Sequence, residues 1–329
     1  MSSEPTATHH VAWFADNYEK LVGNIELFIR GKREAVELAV TCLLAEGHLL
    51  IEDVPGVAKT SLAKCLAQSI SAAWRRIQCT PDLLPSDITG VQIYNQGSRQ
   101  FEFHPGPCFT NIVLIDEINR ASPKTQSALL EVMEERQITV DAVPYSVEVP
   151  FCVLATQNPI EMEGTYQLPE AQIDRFLMRI SIGYPAPEDE VEVMASRARG
   201  EAPEQLQAVL TKETVLEMIE VARSVYVAPA LRHYIVAIAN RTRQRREIRL
   251  GASLRASLAI EAAVRVRAAS HRRPFATPDD VKALIRPVLA HRLLLSAEAA
   301  TEGIDAEAIL AQVMDEVPVP AARAEAAAR

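Results

Sequence analysis

The sequence predicts an α/β fold: a mostly parallel five-stranded sheet with helices on both faces and two β-hairpin inserts, followed by a smaller all-α domain. Three observations carry this. Short strand-like runs, most of them apolar, recur at 49–51, 76–79, 112–115, 151–155 and 178–182. Helical segments lie between most of them, notably 125–135, and such alternation implies parallel strands covered on both faces. Beyond 184–190 (YPAPEDE) and 199–205 (RGEAPEQ) the composition turns helical and rich in Ala, Leu and Arg.

The elements follow in order. Residues 1–12 are expected to be a disordered N-terminus. Over 13–46, Leu21, Ile25, Phe28 and Ile29, then Ala35, Leu38, Ala39, Cys42 and Leu43, recur at helical spacing. Gly31 separates the two helices. Leu49, Leu50 and Ile51 form the first buried strand. After a loop, Leu62, Cys65, Leu66, Ser69 and Ile70 mark the next helix. Two segments, 90–105 and 137–151, read as β-hairpins, the second turning at 141–144. The expected domains are 13–190 and 191–320, with 321–329 a loose tail.

Composition bounds the function. The 329 residues carry a formal net charge of -9, which argues against a protein that coats DNA. The start, MSSEPTATHH, has neither a basic segment nor an apolar core, so it is not read as a signal peptide. No apolar run approaches a bilayer span, so no direct membrane insertion is expected. Cys42, Cys65, Cys79, Cys108 and Cys152 form no C-x-x-C pair. They read as free, mostly buried thiols in a reducing cytoplasm. His48 reads as structural, with no second histidine at metal spacing.

In parallel sheets, ligands bind beyond the carboxyl ends of the strands. The stretch DVPGVAKTS, 53–61, begins at one such end. A phosphate-binding loop needs inward backbone N–H groups, a lysine for the terminal phosphates and a hydroxyl for Mg2+. Gly56, Lys59 and Thr60 supply these, and Pro55 stiffens the turn. Asp53, Val54, Val57, Ala58 and Ser61 complete the candidate stretch. Asp53 and Ala58 stand where the usual pattern has glycines. Alanine is tolerated there if its φ is negative, and Asp53 if its side chain turns away. An ordinary proline-glycine turn before a helix remains the alternative for this loop alone.

The second signal is NIVLIDEINR, 111–120, an apolar strand ending in two carboxylates. Nucleotide hydrolysis needs one acid for the metal shell and one to activate water. Asp116 suits the first role and Glu117 the second. A third strand ends in LATQNP, 154–159, and Asn158 could orient the water or simply start a turn.

With these pieces in order, the chain resembles the MoxR family of AAA+ ATPases over about 21–320. The resemblance is carried by EGHLLIEDVPGVAKTSLAK (46–64), RIQCTPDLLPSDITG (76–90), FEFHPGPCFTNIVLIDEINRASPKTQSALLEVMEE (101–135), VLATQNPIEMEGTYQLPEAQIDRF (153–176), GASLRA (251–256) and TPDDVKALIRPVLAHRL (277–293). Alanine before the loop lysine, and aspartate in place of the first glycine, are common in that family. The resemblance implies an AAA+ P-loop NTPase core with a small all-α lid, ATP as substrate and Mg2+ as cofactor. It implies that Arg175 is an arginine finger acting on a neighbouring subunit's ATP, and that Arg255 is the lid's sensor arginine. Leu254 departs from the family's usual proline, which puts the start of that helix in question. Arg120 is a further candidate for the subunit interface. The hairpins match inserts that face the pore or substrate in related rings.

The resemblance further implies a ring homo-oligomer, a hexamer, acting as a chaperone on partner proteins, von Willebrand factor A domain proteins among them. No nucleic acid is expected. The basic stretch RTRQRREIR, 241–249, lacks interleaved aromatics for base stacking. Alternatives are an ATP-regulated scaffold with little turnover, a metal-chelatase-like motor subunit and a DNA-processing motor.

Overall fold

The computed structural model describes residues 4–54, 56–141, 143–158 and 166–320. In chain order, α1 (Glu4–Glu26) and α2 (Arg33–Leu44) precede β1 (Leu49–Glu52), α3 (Lys59–Ser69) and β2 (Trp74–Gln78). Then come α4 (Pro85–Thr89), the hairpin β3 (Gly90–Asn95) and β4 (Gln100–Pro105), β5 (Ile112–Asp116) and α5 (Pro123–Glu135). A second hairpin, β6 (Gln137–Val140) and β7 (Val143–Ser146), leads to β8 (Cys152–Gln157), α6 (Glu170–Ile173) and β9 (Met178–Ile180). The remainder is α7 (Pro187–Ala198), α8 (Lys212–Ser224), α9 (Pro229–Arg243), β10 (Ile248–Leu250), α10 (Leu254–Ser270), α11 (Pro278–Leu289), β11 (Leu294–Leu295), α12 (Ala297–Thr301) and α13 (Ala306–Glu316).

The five-stranded sheet runs β2-β5-β8-β1-β9, and every pairing in it is parallel. The inner strands β5, β8 and β1 are apolar because both their faces are covered, while the edge strand β2 carries exposed polar residues. Alternation along β5 sends Ile112 and Leu114 into one core and Val113 and Ile115 into the other. The first core packs under α1, α2 and α3, and the second under α5. This order aligns the carboxyl ends of β1, β5 and β8, where the loop, the acid pair and Asn158 were expected.

Four expectations are corrected. Residues 4–12 are not loose: α1 is helical from Glu4, and Val11, Phe14, Tyr18, Leu21, Val22 and Ile25 bury one stripe of it. That helix ends at Glu26, so Phe28 and Ile29 lie in a turn rather than on a helical face. Gly31, with φ of 66°, closes this turn in the left-handed region. The second hairpin turns more tightly than expected, since Val140 pairs with Val143 and Pro144 lies within β7. Finally, the helical lid holds one antiparallel ribbon, β10 with β11.

The proline-rich boundary does not divide the hydrophobic core. Val11, Phe14 and Tyr18 share one apolar cluster with Val215, Met218, Ile260 and Val264 of the lid helices. The basic stretch is tied in part to the lid: Arg241 and Arg245 both pair with Glu316 at the end of α13. All five cysteines are buried and free.

Candidate functional site

The loop leaves β1 at Glu52. Asp53, only 7% exposed, does not face into the loop. Its Oδ2 accepts from the backbone N–H groups of Ile182 and Gly183, both at 2.7 Å, and from Ser181 Oγ at 3.0 Å. Its Oδ1 accepts from Val54 N at 2.9 Å. Burial opposes ionisation, but these donors outweigh it and hold the carboxyl below its ordinary range. Asp53 therefore ties the loop to the segment after β9. The aspartate stands in the first glycine's position because its side chain has work elsewhere.

Gly56 has φ of 89°. Ala58 does not meet the condition of a negative φ: it is left-handed at 61° and stands at the N-cap of α3. An L-residue there is strained by about 1 kcal/mol. Val57 is buried and anchors the loop. Pro55 lies outside the described residues. Lys59, Thr60 and Ser61 open the first turn of α3, whose N–H groups and dipole favour an anion. Lys59 Nζ donates to the Asp53 carbonyl at 2.6 Å. Its pKa is lowered by burial, with Asp53, Asp116 and Glu117 opposing the fall. The lysine and the acid pair thus share one electrostatic neighbourhood.

The acid pair sits in a row of polar side chains across the strand ends. Asp116 pairs in register with Gln78 of β2. Thr156 of β8 donates its hydroxyl to Asp116 Oδ1 at 2.6 Å and accepts from Glu117 N at 2.9 Å. Arg76 donates to Asp116 Oδ2 from Nε at 3.0 Å and Nη2 at 2.7 Å. Glu117 has φ of 56° at the head of a short 3-10 turn. Its Oε2 accepts from Gln78 Nε2 at 3.1 Å and Arg120 Nη1 at 3.0 Å. Arg120 thus pairs within the chain. Asn158 is buried just past β8, between the strands that carry the loop and the acids. Arg76, Gln78 and Thr156 escaped the sequence reading, since only the strand order reveals them as neighbours.

A cleft of about 200 Å³ opens beside the loop. Gly56, Ala58 and Ser61 line one side, and Leu27, Phe28 and Pro185 contribute apolar surface. Its lining from the turn after α1 was read in the sequence as helix core.

Arg175 and Arg255 lie elsewhere. Both pair with Glu134 of α5, Arg175 at 3.0 Å. They line a second cleft of about 300 Å³ that includes Gly47 and His48, which precede β1. The loop follows β1, so the arginines and the loop occupy opposite ends of the same strand. Arg175 is not paired with Asp174, which instead holds Ser253 Oγ and the buried Arg292. Ser253 caps α10, accepting from Ala256 N at 3.2 Å, so the helix starts cleanly at Leu254 without proline. His48 is structural: its Nδ1 accepts from Val153 N at 3.0 Å, so Nε2 donates to the Met133 carbonyl.

A loop ending in Lys-Thr at a helix start, an acid pair two strands over and a helical lid define an ATPase of the AAA class. Residues 48–178 match the ATPase family associated with various cellular activities (AAA), and 240–313 match the AAA lid domain. The chain belongs to the MoxR family of AAA+ ATPases. It is 42% identical to Chaperone MoxR1 of Mycobacterium tuberculosis, across 92% of this chain and 82% of that protein. Protein MoxR of Paracoccus denitrificans is 31% identical, across 89% and 94%. An uncharacterized protein of Bacillus subtilis, YeaC, is 48% identical, across 92% and 95%. A crystal structure from Cytophaga hutchinsonii, described provisionally as an ATPase, superposes with a TM-score of 0.90 at 36% identity, covering 96% of this chain and 98% of that one. No helix among the described residues is long and apolar enough to cross a membrane.

Proposed function

We propose that the chain hydrolyses ATP at sites shared between neighbouring copies in a ring, and uses the cycle to remodel partner proteins. One observation carries the shared site. Lys59 and the acid pair stand at the carboxyl ends of the strands, while Arg175 and Arg255 converge on Glu134 beside the amino end of β1. That separation supports a site in which the arginines of one copy meet the loop of the next.

In this reading the phosphates lie on the N–H groups of 56–61 and the Lys59 ammonium, with the base against Phe28 and Pro185. The donors Thr60 and Asp116 are hard oxygens at a helix start and a strand end, which suit Mg2+. Bound there, Mg2+ would neutralise phosphate charge. Glu117 takes the proton of the attacking water, and Asn158 orients that water. Arg175 and Arg255 of the adjoining copy stabilise charge on the transferring phosphoryl group. The resemblance to chaperone-named relatives supports a hexameric ring and clients with von Willebrand factor A domains.

The test mixes two inactive variants. Glu117→Gln and Arg175→Ala should each lack turnover alone, and their mixture should regain part of the parent rate. A mixture that stays silent, while the parent's rate per subunit is independent of concentration, would defeat the shared site. Stimulation of turnover by a purified von Willebrand factor A domain protein tests the partner.

A further inference from the structure

Asp116 is the acid that the proposed function assigns to the metal. Its carboxylate is already engaged on both oxygens: Oδ1 by Thr156 at 2.6 Å, and Oδ2 by two N–H groups of Arg76 at 3.0 and 2.7 Å. The guanidinium therefore grips one oxygen of the carboxylate with two donors, and Thr156 holds the other. Arg76 and Gln78 alternate with the buried Ile77, so both project from the same face of β2 as Leu114 and Asp116 do from β5. Arg76 Nη2 also donates to Gln78 Oε1 at 2.7 Å. That contact orients the Gln78 amide, leaving its Nε2 to hold Glu117 Oε2 at 3.1 Å. One arginine thus touches the first acid directly and the second through a glutamine.

We propose that Arg76 is a resident counter-ion of Asp116, given up when the carboxylate turns to a metal-nucleotide. Until then it keeps both acids in a closed, charge-compensated arrangement. Two features suit this role. Arg76 is half exposed on the outer strand of the sheet, 47% by side chain, so it can swing into solvent without disturbing the core. Asp116 is the less accessible partner, at 14%, so an acid without a cation there would be held in a poorly solvated place beside Glu117. Lys59 is near but is committed to the Asp53 carbonyl. The expected consequence is a tax on metal binding: Asp116 must break an ion pair before it can serve the metal.

The proposal rests on the nucleotide reading of the site, and the experiment separates the two. Binding of a fluorescent non-hydrolysable ATP analogue is measured in EDTA and in Mg2+ for the parent, Arg76→Ala and Arg76→Lys. The quantity compared is the ratio of the two dissociation constants, the gain that Mg2+ confers. Removing a partly exposed ion pair should raise this ratio about five-fold in Arg76→Ala. Arg76→Lys, which keeps the charge but loses the two-pronged contact, should fall between. An unchanged or lowered ratio in variants that melt like the parent would overturn the counter-ion role, marking the pair as a sheet-edge contact. Failure of every protein to bind the analogue in either condition would overturn the nucleotide reading, and the proposal with it.

Discussion

Replacing Asp53 by asparagine tests whether the first glycine's position was surrendered for a structural brace. The side chain keeps its size but loses its charge. If the amide oxygen takes over the three donors on Oδ2, from Ser181, Ile182 and Gly183, each hydrogen bond drops from charge-assisted to neutral, at about 1 kcal/mol apiece. The amide NH2 then faces Val54 N, a second donor, where a hydrogen bond of 2.9 Å stood. The total loss is about 3–4 kcal/mol. For 329 residues unfolding as a unit, the unfolding entropy is about 0.7 kcal/mol/K, so Tm should fall by about 5 °C. The core that continues into the lid supports a single transition. Calorimetry at neutral pH reads the shift. The sign with pH is also fixed. The folded carboxyl titrates below its unfolded value, so its contribution is present above that value and is lost as pH falls through the folded pKa. The gap between parent and variant should therefore narrow in acid. A Tm within about 1 °C of the parent, or a gap that widens in acid, would refute the brace.

Three further outcomes are expected. Ala58→Gly relieves the left-handed strain and should raise Tm by about 1 °C, since the relief exceeds the added freedom of the unfolded glycine. Arg292→Met removes a buried guanidinium, 3.0 Å from Asp174 and donating to the carbonyls of Val288 and Phe176, and should cost about 3–5 kcal/mol by chemical denaturation. The half-buried His291 is held neutral, its pKa well below the ordinary value chiefly through desolvation, with Arg292 beside it. Stability should therefore fall as pH drops below the unfolded value of about 6.5, by up to about 1.4 kcal/mol per unit. His291→Gln should flatten that limb in denaturant titrations across pH 5–7.

The sheet was legible because each buried strand is an apolar run of its own, and 49–51, 112–115 and 151–155 need no partner to be recognised. The loop's Lys-Thr and the Asp-Glu pair were legible for the same reason: their chemistry is local. What escaped depends on distant pairing. The partners of Asp53 lie 128 to 130 residues away. Arg76 and Gln78 meet the acids only because β2 lies beside β5. Ala58's φ stayed open in the sequence because one residue's φ is set by how the strand end meets the helix start. The helical start at Glu4 was missed because its apolar stripe faces lid helices more than 200 residues later.

In the proposed shared site, the opposed placement of the 53–61 loop and the Arg175–Arg255 pair gives each copy a head and a tail. Two copies related by a twofold axis would set head against head, and neither site would be completed. A translationally repeated contact completes one site at every junction but leaves an idle head at one end and an idle tail at the other. Only a row that curves back on itself puts every loop to use, so the shortest fully active assembly is set by the angle between successive copies. A substitution that changes this angle by a few degrees, far from any nucleotide, would convert a closed set of working sites into a filament with two wasted ends.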